Sequence, residues 1–312
     1  MKRPYIYEIE PTNHCPYKCI MCPRGLGKMK RPVGFMDLEN IRILLDQFPD
    51  GQRLVRLHHF GEAVLHPQID SIIRLIKKKG LIPTISLNPS TLTLQLGRKI
   101  LDAGIGIVCF SLDSLTDEGL RKIRGIRESF KKCWTKVEDF IELSRKAEMP
   151  ILKVIQMVRL ELNQDQWERF QGIKEKYPEP DVVLYLAENL GFGDLSLVER
   201  TLPGGSNRIL ENRFACGAPF SEVSILWNGD VVLCCYDYDG FTRIGNIRES
   251  SLSEIWKDDP VKRYRNLFSR RQTSSLSLCS TCFQAPHNFS RDVRLFRKGW
   301  EEEKLVLGLL SK

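Results

Sequence analysis

The chain has no apolar run approaching the thickness of a bilayer, so a membrane-spanning helix is not its organising element. It also has no apolar signal-peptide segment, because Met1-Lys2-Arg3-Pro4-Tyr5 leads straight into strand-like sequence. A cytoplasmic protein is therefore expected. In that reducing compartment the ten cysteines are not expected to form a disulfide framework, and metal binding suits them better. There is no short internal repeat and no low-complexity tract. What is present is an ordinary globular composition, 312 residues with 42% apolar and 28% charged, enough for one sizeable core and a smaller second unit. The net charge of +8 raises the question of nucleic acid. Its carriers are scattered, however, at Lys28/Lys30/Arg31, Lys77-Lys78-Lys79 and Arg270-Arg271, which reads as solvated surface. Nucleic acid and membrane are not expected partners; anionic ligands remain open.

Strand-like and helix-like segments alternate up to about residue 187. Strands are predicted at 5–10, 54–59, 83–88, 106–113, 152–158 and 182–187, several as near-continuous apolar runs of the kind buried on both faces of a parallel sheet. Helices are predicted at 38–48 with Asp37 as cap, and at 68–79, 91–103, 130–146 and 165–176. Six β-α units in series imply an α/β fold with right-handed crossovers, either an open sheet or a partial barrel. The texture changes near residue 190, where Gly191, Gly193, Pro203, Gly204 and Gly205 mark a loop-rich crossing. Asn228-Gly229 between strand-like runs predicts a hairpin, 252–256 a short helix, and the tail from 290 a polar amphipathic helix. The expected division is 1–200, 201–289 and 290–312.

Cys15, Cys19 and Cys22 follow the first predicted strand within eight residues, close enough to turn toward one point. Three thiols are one short of the four that usually complete an iron–sulfur cube, and an unfilled position can take a substrate or cofactor. In α/β sheets and barrels, sites gather at the carboxyl ends of strands. There stand these cysteines, Gly61-Glu62, Asn88, Ser111 and Asp113, with Gln156 in the fifth strand. A zinc knuckle with His14 as fourth ligand is the alternative. His58 and His59 would straddle the second strand, so that at most one faces the interior, and His66 begins the next helix. Cys109 reads as a small buried hydrophobe and Cys133 as incidental on a polar helix. Glu8, Glu10, Tyr185 and Glu188 are candidates for handling protons or binding hydroxyls, by strand position alone.

Cys-x3-Cys-x2-Cys after the first strand resembles the cluster signature of the radical S-adenosylmethionine (SAM) superfamily. The resemblance implies a partial (β/α)6 TIM-type barrel and a 4Fe–4S cluster on Cys15, Cys19 and Cys22. SAM would fill the fourth position and yield a 5′-deoxyadenosyl radical that takes a hydrogen atom from substrate. The Gly-Gly-Glu-Pro segment that holds the SAM amino group corresponds to Phe60-Gly61-Glu62-Ala63, so only Gly61 and Glu62 carry over. By the same resemblance Ser86, Asn88, Ser111 and Gln156 are SAM contacts, Arg124 meets the SAM carboxylate and Tyr17 lies near the adenine.

Cys216, Cys234, Cys279 and Cys282, with gaps of 18, 45 and 3, form a second set that the predicted hairpin would draw together. With the 243–256 stretch, this region resembles the SPASM/twitch extension of that superfamily in its shortened form, which carries one auxiliary 4Fe–4S cluster. Four-cysteine zinc is again the alternative. Cys235 adjoins a ligand and, by strand alternation, should point away from Cys234; in some twitch-bearing epimerases such a cysteine donates a hydrogen atom. The gaps resemble those of small twitch dehydrogenases that oxidise a secondary alcohol of an aminocyclitol, the auxiliary cluster accepting an electron. Epimerisation of a sugar or peptide with Cys235 as donor, and maturation of a ribosomal peptide, are the alternative reactions. A start of strand one within four residues of Met1 makes peptide-leader recognition harder to place. The substrate pocket is expected between the clusters, partly lined by 187–215. An external one-electron donor such as flavodoxin or ferredoxin is implied, and a zinc- or cluster-bearing interaction protein is the non-enzymatic reading.

Overall fold

The computed structural model describes residues 3–189, 191–202, 214–285, 294–296 and 298–310. Six strands, β1 (Tyr5–Ile9), β2 (Leu54–Leu57), β3 (Ile82–Leu87), β4 (Ile107–Ser111), β5 (Leu152–Val158) and β6 (Val182–Ala187), pair in parallel in chain order. Inward side chains of five successive strands, Tyr7, Arg56, Thr84, Cys109 and Gln156, line one cavity, which requires the sheet to curl. At β6 the wall is open, and Tyr185 is 53% exposed there. The α/β reading and the partial barrel both hold.

The helices between the strands follow from their apolar spacing. In α2 (Ile69–Lys78), Ile69, Ile72, Ile73 and Ile76 form one buried stripe. Asp37 precedes α1 (Leu38–Asp46) as expected, but its side chain makes no cap bond and pairs instead with Arg248 of the C-terminal region. The expected helix at 165–176 is a six-residue α segment, Trp167–Gly172, flanked by 3-10 turns. Phe170 alone is buried in that segment, and Gly172 weakens it further. A helix not expected from the sequence, Asp117–Arg124, is capped by Thr116 through the Gly119 amide and closed by Gly125 at φ +72°.

The C-terminal region is not a separate body. β7 (Phe214–Cys216) pairs with β11 (Arg294–Phe296), while β8 (Glu222–Ile225) runs parallel to β1 and β9 (Asp230–Val232) and β10 (Arg243–Asn246) extend the same nine-stranded sheet. The Asn228-Gly229 hairpin forms as expected. A buried Glu10–Arg31 pair stitches the seam: Trp227 N–H donates to Glu10 and Arg31 Nε donates to the Tyr238 carbonyl, at 3.2 and 2.6 Å. Arg31 is thus not the solvated charge expected of it. The expected break after 200 falls inside the helix Leu195–Thr201, and 203–213 lie outside the described residues.

The tail helix spans Lys298–Leu310 and closes the amino end of the barrel. Val306, Leu307, Leu309 and Leu310 pack on Leu54, Ile107 and Leu152, the first residues of three strands. Tyr5 and Tyr7 hydroxyls donate to Glu303 and Glu302 at 2.6 and 2.7 Å. With that end plugged, ligands enter from the carboxyl ends of the strands. Among the described residues no helix is long and apolar enough to cross a membrane.

Candidate active site

The loop after β1 is set by main-chain bonds to the end of the Asp117–Arg124 helix. Lys18 N–H donates to Arg124 O (3.1 Å) and Ile20 N–H to Ile123 O (2.9 Å), while Cys22 N–H closes on Cys19 O (3.1 Å). Two glycines allow this approach. A Cβ on Gly25 would collide with the Cys19 backbone, and Gly61 lies against the Thr12 carbonyl with no room for one. Glu62 N–H then donates to His14 O at 2.7 Å, joining the loop after β2 to the cysteine loop. The His14 ring stacks on Phe35, 4.4 Å between centroids, and does not line the cavity beside the cysteines.

Cys15, Cys19 and Cys22 border a cavity of about 420 Å³ at the carboxyl ends of the strands. Burial pushes the Cys15 thiol up to about 11 and Cys19 to about 12, and raises Cys22. Tyr17, Gly61, Glu62, Ser86, Ser111, Arg124 and Gln156 line the same cavity. Burial raises Glu62 to about 7, against bonds from Asn88 N–H and the Thr91 hydroxyl, each 3.2 Å long. Ser86 and Ser111 hydroxyls are 3.1 Å apart, and Tyr17 hydroxyl lies 2.6 Å from Ser90 Oγ. Arg124 is committed to buried Asp113 (Nε to Oδ2, 2.6 Å), with Nη1 3.9 Å from Cys19 Sγ. Asn88 does not line the cavity. Its amide donates to Ser111 O (3.2 Å) and accepts from Ser90 N–H (2.9 Å), so it holds the residues that do.

The deeper wall corrects several expectations. Cys109 faces the cavity instead of the core, with its thiol 3.5 Å from Gln156 Oε1, whereas Cys133 is fully buried. Both His58 and His59 line the cavity, because β2 ends at Leu57 and strand alternation no longer governs them. His59 bonds Glu8 Oε2 at 2.9 Å and the Asp237 carbonyl at 3.0 Å. His66 is buried against the Met36 carbonyl at 2.9 Å. Glu8 lines the cavity; Glu10 is taken by Arg31, and Glu188 pairs with Arg159 outside it. Sequence reasoning missed Tyr7, Arg56 and Thr84, although β-strand periodicity places them on one face with Cys109 and Gln156.

The second set gathers from three separate segments, Cys279 and Cys282 sharing one turn, around a cavity of only about 50 Å³. Cys216, Cys234, Cys279 and Cys282 all line it, and burial raises every one of them; for Cys234 the bond to Cys235 is the larger cause. Cys235 lines it too, and does not line the larger cavity. The expected alternation fails there because β9 stops at Val232 and the cysteine pair sits in a turn. Among the described residues no three ligand-type side chains converge on one point. Phe192 lines both cavities and sits between Phe60, against which it is tilted (4.9 Å), and Tyr236, which it meets edge to face (6.0 Å). Its φ of +49°, between Gly191 and Gly193 at +49° and +84°, turns its ring into that position.

Residues 9–171 match the Radical SAM superfamily, and residues 216–283 match SPASM, an iron–sulfur cluster-binding domain. A tungsten-containing aldehyde ferredoxin oxidoreductase cofactor-modifying protein of Pyrococcus furiosus is 24% identical, over 88% of this chain and 87% of its own. An S-adenosyl-L-methionine-dependent 2-deoxy-scyllo-inosamine dehydrogenase of Niallia circulans is 22% identical, over 88% and 91%. Among solved structures, BtrN in complex with AdoMet and 2-DOIA shares the fold with TM-score 0.54 at 16% identity, covering 94% of this chain and 95% of that one. Streptococcus suis SuiB bound to the precursor peptide SuiA gives 0.62 at 16% identity, covering 90% and 70%. The superfamily match covers more than half of the 312 residues, and the chain belongs to the radical SAM superfamily, as an enzyme that binds SAM and a 4Fe–4S cluster and carries a SPASM domain for auxiliary iron–sulfur.

Proposed function

We propose that this chain is a radical SAM dehydrogenase that oxidises a secondary alcohol on a sugar- or aminocyclitol-sized substrate. The observation that supports it best is the pair of unequal cavities meeting at Phe192. One is roomy and borders the Cys15, Cys19 and Cys22 thiols, with Cys109 on its deeper wall; the other is small and ringed by five thiols. When bound, SAM and its reduced cluster supply a 5′-deoxyadenosyl radical able to take hydrogen from carbon.

Cys15, Cys19 and Cys22 are assigned as ligands of the SAM-binding cluster, and Cys216, Cys234, Cys279 and Cys282 as ligands of the auxiliary one, which serves as electron acceptor. Glu62, held by Asn88 and Thr91, offers a carboxylate to the SAM ammonium, with Gly61 giving close backbone approach. Ser86, Ser111, Gln156 and Tyr17 are placed to contact the rest of SAM, and Asn88 positions them. Arg124, fixed by Asp113, presents its remaining donors between Cys19 and the cavity. Cys235 belongs with the auxiliary set, so its position does not favour a hydrogen-donor role in epimerisation. The ten free cysteines suit a reducing cytoplasmic setting with a flavodoxin- or ferredoxin-class donor.

The test is anaerobic turnover with carbinol-deuterated aminocyclitols, 2-deoxy-scyllo-inosamine included. The expected result is a product two mass units lighter than unlabelled substrate, with deuterium in 5′-deoxyadenosine. Solvent deuterium at an inverted carbon would instead mark an epimerase, and turnover of peptides alone a maturation enzyme.

A further inference from the structure

His58 and His59 are neighbours in sequence with opposite chemistry. The Asp237 carbonyl only accepts hydrogen bonds, so His59 Nε2 must carry a proton toward it across 3.0 Å. Its Nδ1 faces Glu8 Oε2 at 2.9 Å, with one further proton shared between them. Both ring nitrogens of His59 are therefore spent. Burial opposes its charge, but Glu8 and Glu10 outweigh burial and its pKa is raised. His58 also lines the cavity, and among the described residues its buried Nδ1 has no hydrogen-bond partner. The charged groups facing it are Glu8 and Glu10 from β1 and its end, His59 beside it, and Arg124 from the helix under the cysteine loop. Burial dominates these, lowers its pKa and leaves it neutral.

The other cavity-lining groups that could take a proton are otherwise committed. Glu8 is engaged by His59, and Glu62 by Asn88, Thr91 and, in the proposed function, the SAM ammonium. Burial raises the Cys109 thiol to about 12, and Arg56 stays protonated. We propose that His58 accepts the hydroxyl proton of the substrate, with the Glu8–His59 pair fixing its surroundings. The proposal rests on the dehydrogenase reading. The step balances as follows: a hydrogen atom leaves the carbinol carbon, the O–H bond breaks with its proton passing to the His58 imidazole, and the remaining electron goes to an acceptor of the iron–sulfur class as C=O forms. Two neighbouring titratable groups pushed apart by their surroundings is the usual signature of such a division.

The test compares wild type, His58→Gln and His58→Asn with 2-deoxy-scyllo-inosamine, reading 5′-deoxyadenosine formed per oxidised product. Both variants are expected to raise that ratio at least tenfold. In wild type the ratio stays low from pH 8 to below 6.5, the ordinary histidine value, and then rises as His58 protonates. Should both variants lose their iron, the wild-type profile decides: a ratio independent of pH overturns the proposal. Folded variants with the wild-type ratio overturn it as well, while leaving the dehydrogenase reading intact. A wild type that oxidises no alcohol of this class overturns that reading and this proposal together.

Discussion

The two cysteine sets are built by opposite means. The first is local, three thiols in one loop folded by its own main chain and by the end of one helix, and it borders a cavity of about 420 Å³. The second draws thiols from three distant segments around about 50 Å³. The first set has open space beside its thiols and the second has little, which under the proposed function makes one a reactant-binding centre and the other an electron acceptor. Phe192, turned by its positive φ between two glycines, is the wall they share.

The largest expected effect comes from removing the reactive side of this contrast. Cys19→Ser should abolish 5′-deoxyadenosine formation, a drop of more than about a thousandfold, as expected for a unit whose parts act together. Retained cleavage would erase the distinction between the sets. Gly61→Ala should follow, because a Cβ there meets the Thr12 carbonyl. A loss of about 2–4 kcal/mol in chemical denaturation is expected, with weakened SAM binding.

Glu62→Gln should separate stability from function. Burial raises the Glu62 carboxyl from its ordinary 4.5 to about 7, so the cost of ionising it in the folded protein grows from pH 4.5 and is complete above 7. The SAM-free variant should therefore be more stable than wild type at pH 8, by up to about 3 kcal/mol, and equal to it near pH 4. SAM should bind the variant at least about tenfold more weakly. In wild type, affinity should fall as pH drops below 7 and a proton competes with the ammonium. Equilibrium binding and thermal denaturation across pH check both.

The smallest effect concerns the plugged end, which serves both sites equally. Tyr5→Phe removes the hydroxyl that Glu303 accepts and should cost about 1–2 kcal/mol, leaving SAM cleavage within about twofold. A selective loss at one site would contradict the floor's neutral role.

Much of the barrel was legible because parallel strands and their helices leave strong patterns: β5, β6 and the helix Phe130–Lys146 have the bounds the sequence predicts. The cysteine loop was legible because its chemistry is local. What escaped was whatever depended on where a strand stops. β2 ends one residue before His58 and β9 two before Cys234, so alternation placed His58, His59 and Cys235 wrongly. Strand direction could not reveal that Arg124 is held by Asp113, whereas the inward direction of Cys109 follows from alternation with Ser111 two residues on. The union of the auxiliary strands with the barrel rests on β8 pairing beside β1, a contact between residues more than two hundred positions apart. No local pattern announces it.

The division of labour between the sets is tested most directly by quantifying iron, 5′-deoxyadenosine and oxidised product in an anaerobically reconstituted Cys216→Ala/Cys279→Ala variant. About four irons per chain, continued SAM cleavage and no oxidised product are predicted. Loss of SAM cleavage in a folded variant that still binds SAM, or oxidised product at the wild-type yield, would contradict it.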